Sequence, residues 1–169
     1  MDIANVNFAL YQGKDEYKGL VEVQLPEVSK IAAEIKGAGI GGTYSAPIPG
    51  HYEGMTLTLT NRNVRKDQFK AMKVGTQQFD LRQALSERDE VTGEIKTTKI
   101  KHIFRTEAVK HTQGKVAAAS TMDGSQEHSV SYWATYINGE KTQEIDIFNM
   151  IAFVNGTDEL AEVRAALGK

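Results

Sequence analysis

Apolar and polar residues alternate with period two along much of this chain, the pattern of half-buried β-strands. In EGMTLTLTN, Met55, Leu57 and Leu59 alternate with Thr56, Thr58 and Thr60, so β-branched residues fill the outer face of an expected strand. GLVEVQLP sets Val21, Val23 and Leu25 on one face and stops at Pro26, which suits an edge or a strand end. SKIAAEIK fits a helix or a strand, and its run into glycines favours the strand. From Phe79 to Arg105 two long strands surround DEVTGE, where Thr92 and Gly93 make a turn. Their alternation is blurred, because Lys99 and Lys101 share a face with Ile95 and Ile103. A charge-rich hairpin over about residues 79–106 that projects from the body is the expectation.

HTQGKVAAASTMDGSQEH, residues 111–128, is small and polar and reads as a long connection. SVSYWATYINGEKTQEIDIF is the clearest hairpin, with Asn138 and Gly139 as its two-residue turn. Its first strand carries Val130, Tyr132 and Tyr136 on one face and Trp133 and Ile137 on the other, so both faces need cover. In the return strand Ile145 and Ile147 point one way and Glu144 and Asp146 the other. Two short helices complete the reading. RKDQFKAMK pins a surface helix by Phe69 and Met72, ringed by Arg65, Lys66, Lys70 and Lys73. TDELAEVRAAL, about residues 157–167, has Thr157 as N-cap, an apolar stripe of Leu160, Val163 and Leu167, and Gly168 as its stop. With no βαβ alternation and no repeat, the expected fold is mainly antiparallel β.

The 169 residues suit one domain, 1–169, and no segment approaches the roughly 20 apolar residues of a membrane-spanning helix. Acidic Asp2 stands where a signal peptide needs a basic region, so general secretion is not expected. Cysteine is absent, which excludes disulfides, thiolate metal sites and thiol catalysis. Charge is segregated under a net value of only −2. Residues 1–60 carry 4 basic and 7 acidic side chains, residues 61–110 carry 12 and 7, and residues 111–169 carry 4 and 8. Acidic residues interrupt the basic middle throughout and no aromatic platform is interleaved with it, which disfavours nucleic-acid binding. A self-associating chain whose positive region meets a neighbour's negative region would carry the same pattern.

Three features invite a chemical reading. Gly37, Gly39 and Gly42 in KGAGIGGTYSAPIPG, residues 36–50, spell G-x-G-x-x-G. That motif cradles a pyrophosphate only where a helix opens directly after the glycines. Pro47 and Pro49 forbid such a helix, and a dinucleotide enzyme is the least favoured function. His51, His102, His111 and His128 lack metal-ligand spacing, so no metal and no cofactor is expected. Glu144 and Asp146 form a carboxylate pair on one strand face without a sign of a surrounding pocket, and no catalytic residue is assigned. The residues alone lead to a mostly β domain with more apolar strand surface than a small barrel needs.

One run goes further. EIDIFNMIAFVNGTDEL, with Glu144, Ile145, Asp146, Asn149, Met150, Ile151, Val154, Asn155, Gly156 and Asp158 in register, resembles the major tail tube proteins of contractile-tailed bacteriophages and the tube subunits of contractile bacteriocins. The similarity extends upstream through Tyr136, Asn138 and Gly139 and downstream to Gly168, with weaker echoes in NVNFALYQG, in Leu25 and Pro26, and in the glycine loop followed by API. Residues 61–126 are placed by pattern alone.

The resemblance implies an antiparallel β barrel or sandwich with one or two short flanking helices, and a structural rather than enzymatic role. Its subunits would form hexameric rings stacked into a hollow tube. A sheath protein would lie outside, a tape measure protein or DNA in the lumen, and a baseplate and tail terminator at the ends, as parts of a virion tail assembled in the host cytoplasm. Candidate subunit or ring interface residues are Gly37, Gly39, Gly41, Gly42, Asn149, Asn155 and Gly156. Glu144 and Asp146 are candidates for the lumen face, where repeated negative charge would repel DNA, with a ring seam as their other placement. Arg65, Lys66, Lys70 and Lys73 are candidates to face the sheath. The alternatives are a bacteriocin or secretion-type tube and, from another class, a small β-barrel ligand-binding module that stays monomeric.

Overall fold

The computed structural model describes residues 2–169, with side chains from residue 4 onward. The strands in chain order are β1 (Asp2–Gln12), β2 (Asp15–Tyr17), β3 (Leu20–Gln24), β4 (Lys30–Ile35), β5 (Tyr44–Tyr52) and β6 (Met55–Asn61). After helix α1 (Lys66–Ala71) come β7 (Gln77–Arg88), β8 (Ile95–Thr112), β9 (Gly124–Ile137), β10 (Glu140–Asp146), β11 (Ile151–Val154) and β12 (Thr157–Asp158), then helix α2 (Ala161–Ala166). Ten strands make one antiparallel sheet in the order β12-β11-β10-β9-β8-β7-β1-β2. The sheet forks at β9, whose first half pairs with β6 and whose second half pairs with β10, while β6 pairs onward with β3. No ladder among the described residues joins β2 to β3, so the expected antiparallel β fold is present as a curled sheet that stays open.

The alternating strand β6 does what its pattern requires: Met55, Leu57 and Leu59 are buried against Leu10, Phe79, Leu81 and Phe104. Elsewhere bulges break the period of two. On β9 the register slips beside Ser131, so Val130 and Trp133 both reach the core instead of opposite faces. A slip between Leu20 and Glu22 likewise turns Val21 out, while Leu20 and Val23 pack inward. The connection expected at 111–128 is shorter, because β8 runs to Thr112 and β9 begins at Gly124, with Gln126 and His128 fully buried.

The hairpin expected to project does not. β7 and β8 lie in the middle of the sheet, covered by β1 on one edge and β9 on the other, so the lysines that blurred the pattern sit on its outer face. The projecting element is β4–β5, a separate two-stranded sheet.

Both helices are shorter than the sequence suggested. α1 is pinned by Gln68 and Ala71, and Phe69 is half exposed with its ring edge-on to His111 at 5.7 Å. Gln68 enters because its amide donates to the Asn63 carbonyl at 2.7 Å. Thr157 belongs to β12 instead of capping α2, and of the expected stripe only Leu160 is buried.

Candidate assembly surfaces

The β4–β5 arm carries the glycine loop at its tip. Ala33 pairs with Ala46 and Ile35 with Tyr44 on one side of the ribbon, and Ile31 lies at a register shift. Ile31, Ile35 and Tyr44 remain exposed, Tyr44 by 60 %. At the root the arm is anchored: Lys30 bonds the Glu159 carboxylate at 3.0 and 3.1 Å, Glu53 N–H donates to the Ser29 carbonyl, and Gly50 lies against Leu160 with no room for a Cβ. A two-stranded ribbon is marginal in water by itself. This one leaves an apolar side uncovered.

At the tip, Gly37, Gly41 and Gly42 have ordinary φ, and a Cβ at any of them would meet nothing within 4 Å, whereas Gly39 has φ +92°. Only Gly39 is therefore demanded by the chain's own conformation. The loop leads into β5 and not into a helix.

Asp146 and Glu144 do share the outer face, but neither offers free charge to it. Asp146 is 4 % exposed; its Oδ1 accepts the backbone N–H groups of Phe148 and Asn149 at 3.1 and 3.0 Å and its Oδ2 accepts the Asn149 amide at 2.7 Å. The carboxylate builds the turn from β10 to β11, and Ile147 falls in that turn, 44 % exposed, not inward beside Ile145. Glu144 accepts from Tyr132 Oη at 2.9 Å and pairs with Lys141, and burial followed by that carboxylate pushes the Tyr132 phenol far above its ordinary range. Arg105 stacks on the Tyr132 ring at 4.5 Å and Arg82 on Tyr11 at 4.8 Å, so the fold interleaves aromatics with the basic strands where the linear sequence had none.

Asn155 and Gly156 have φ +45° and +87° and form the tight turn between β11 and β12, an intrachain need that accounts for both. Asn138 and Gly139 do the same between β9 and β10. In the cationic helix region Arg65 pairs with Asp67 at 3.7 Å and Lys70 with Asp15 at 2.9 Å, while Lys66 and Lys73 stand exposed. The structure thus brings Glu144, Asp146 and Asn149 together and leaves the tip glycines and α1 apart from them. Sequence reasoning missed Phe148, 80 % exposed on the Asp146 turn; its signal was an aromatic inside the run IDIFNM, flanked by a turn-forming Asp.

The turn is expected to be costly to disturb. Asp146→Ala leaves two backbone donors unmatched, and we expect a loss of about 2 to 3 kcal/mol, or roughly 5 to 10 °C in melting temperature, by calorimetry. Asp146→Asn, which keeps an acceptor, should lose less than half of that; equal losses would refute the assigned role.

No curated protein matches the chain at a significant level of sequence similarity. Among solved structures, the PVC sheath/tube terminator of an extracellular contractile injection system in the extended state aligns with a TM-score of 0.56 at 12% identity, over 78% of this chain and 94% of that one. The PVC sheath-tube complex in the extended state aligns with a TM-score of 0.53 at 14% identity, over 77% and 88%. At such identities these likenesses speak for the fold. The family model described as phage tail tube protein FII matches residues 5–168, nearly the whole length. The curled antiparallel sheet, its short helices and that match agree: the chain belongs to the phage tail tube protein FII family and is a structural subunit of a tail tube.

Proposed function

We propose that the chain forms hexameric rings that stack into the hollow inner tube of a contractile tail or injection system, without catalytic activity of its own. The observation that carries this reading is the β4–β5 arm, a ribbon whose apolar side has no cover in the single chain and whose tip glycines Gly37, Gly41 and Gly42 answer no need inside it. A second copy supplies both the cover and the close backbone approach. Sheet edges support it too: β1 pairs with β2 only over its last three residues, leaving an edge open to another strand. On this reading the exposed Lys66 and Lys73 face a sheath, a terminator closes the end, and DNA or a tape measure protein occupies the bore. Glu144 and Asp146 remain candidates for the bore wall on this reading, with their carboxylates held in place by partners within the chain.

Negative-stain electron microscopy of the purified protein from micromolar to millimolar concentration tests the proposal. Rings or hollow tubes with sixfold end views are expected. Dispersed monomers across the whole range, with saturable binding of a small ligand, would overturn it in favour of a binding module.

A further inference from the structure

The turn that Asp146 builds presents Phe148 as a fixed apolar knob. Besides the three bonds that Asp146 accepts, the Met150 carbonyl accepts from Arg164 Nη1 at 2.7 Å, and the other arm of that guanidinium pairs with Asp158. Met150 holds φ +54°, a conformation few side chains adopt without support. The backbone that carries Phe148 is therefore prearranged, so little main-chain freedom is lost when the ring docks.

A matching groove lies on the outer face of the same sheet. Arg82, Lys99, Lys101, Ile103 and Tyr136 are among the residues lining a cavity of about 650 Å³, within the size range of sites that enclose a compact apolar group. Arg82 and Lys101 both pair with Asp80, at 3.2 and 3.4 Å, and Lys99 adds a further cation beside Ile103 and Tyr136, a setting that suits the face of an aromatic ring. The two features cannot meet within one chain. Ile147 N–H bonds Ser131 O near the middle of β9, whereas Tyr136 lies five residues further along that strand, roughly 15 Å away at the strand rise.

Resting on the reading that the chain self-assembles, we infer that Phe148 of one copy seats in the groove at Arg82, Lys99, Lys101 and Tyr136 of a second copy. Charge agrees with this occupant. The knob belongs to the acidic C-terminal third with 4 basic and 8 acidic side chains, and the groove to the basic middle with 12 and 7. Knob and groove are separate patches of the same sheet, so a copy that receives a knob in its groove still presents its own knob to a further copy.

The cysteine-free chain allows a direct test. Copies carrying Phe148→Cys are mixed with copies carrying Lys99→Cys and exposed to an oxidant; a disulfide needs Cα atoms within about 7 Å. Cross-linked dimers of unlike copies are expected, with few dimers of like copies. Separately, Phe148→Ala should keep the melting temperature of the parent, because the ring is solvent-exposed, and reduce sedimentable assemblies at least tenfold. Tubes from the parent chain together with no unlike cross-link, or with undiminished assembly of Phe148→Ala, would overturn this contact and leave the tube reading standing. A parent chain that stays monomeric and gives no cross-link would overturn both.

Discussion

Valine at Gly37 and Gly41 together is expected to abolish tubes while leaving the subunit folded. Neither glycine has a positive φ, and a Cβ at either meets no atom within 4 Å, so the substitution introduces no clash and no backbone strain in the single chain. Replacing glycine also narrows the unfolded ensemble, which makes the folded subunit as stable as before or slightly more so. Against a second copy the same change adds two branched side chains to a loop proposed to lie at a close backbone approach. A penalty of about 1.4 kcal/mol at each contact lowers association tenfold, and contacts repeated around a ring and between rings compound it. Gly39 is left unchanged because its φ of +92° would confuse strain with interface. Sedimentation and electron microscopy read assembly, and circular dichroism with a thermal melt reads the fold. Normal tubes from this variant would show that the tip is not a joint.

The second large effect is acid lability between pH 6.5 and about 4. His102 and His128 are both buried, and burial pushes each imidazole down from 6.5 to about 4. At His102 the contacts also fix the tautomer. Trp133 Nε1–H donates to Nδ1 at 3.3 Å and Thr135 Oγ1 lies 2.9 Å from the same nitrogen, so Nδ1 must be the unprotonated, accepting atom. His128 packs edge-on to Phe79 at 5.3 Å, with Nε2 3.4 Å from Gln126 Oε1 and no partner for Nδ1. Because the folded pKa is depressed below the unfolded one, the unfolded chain binds more protons in this window and stability rises with pH. The contribution is complete above 6.5 and is lost as the pH falls toward 4.

At pH 4.5 each imidazole accounts for about 2 to 3 kcal/mol, and two together rival a large part of the 5 to 15 kcal/mol typical of a whole domain. Urea unfolding from pH 7.5 to 4.5 should show this loss in the parent chain. A variant with His102→Gln and His128→Leu should be nearly flat over the same range. Asp158, held below the ordinary carboxylate range first by its bond to Arg164, contributes only at lower pH, so it does not blur the window. An unchanged slope in the double variant would place the acid sensitivity elsewhere.

Much of the fold was legible because its signals are local. The alternation Met55, Leu57, Leu59 needs no distant partner to be recognised, and the pair Asn138–Gly139 specifies a two-residue turn by the positive φ that it tolerates. The C-terminal run carried the family resemblance for the same reason, as an ordered string of residues whose turns at Asp146 and Asn155 are built from neighbours in sequence.

What failed was whatever depends on pairing across the chain. A bulge is a mismatch between two strands, so the slip beside Ser131 that turns both Val130 and Trp133 inward is written in neither strand alone. Which hairpin projects is likewise settled by neighbours: β1 and β9 claim the edges of β7–β8, and among the described residues no other strand pairs with β4 or β5. The sequence by itself determined the β class, the tight turns, the absence of thiol chemistry and the family. Only the tertiary structure decided that Asp146 is a buried turn acceptor, that Phe148 and the arm stand exposed, and that two histidines sit neutral in the core. Burial and register are set by contacts between residues far apart in the chain, and local pattern carries little record of them.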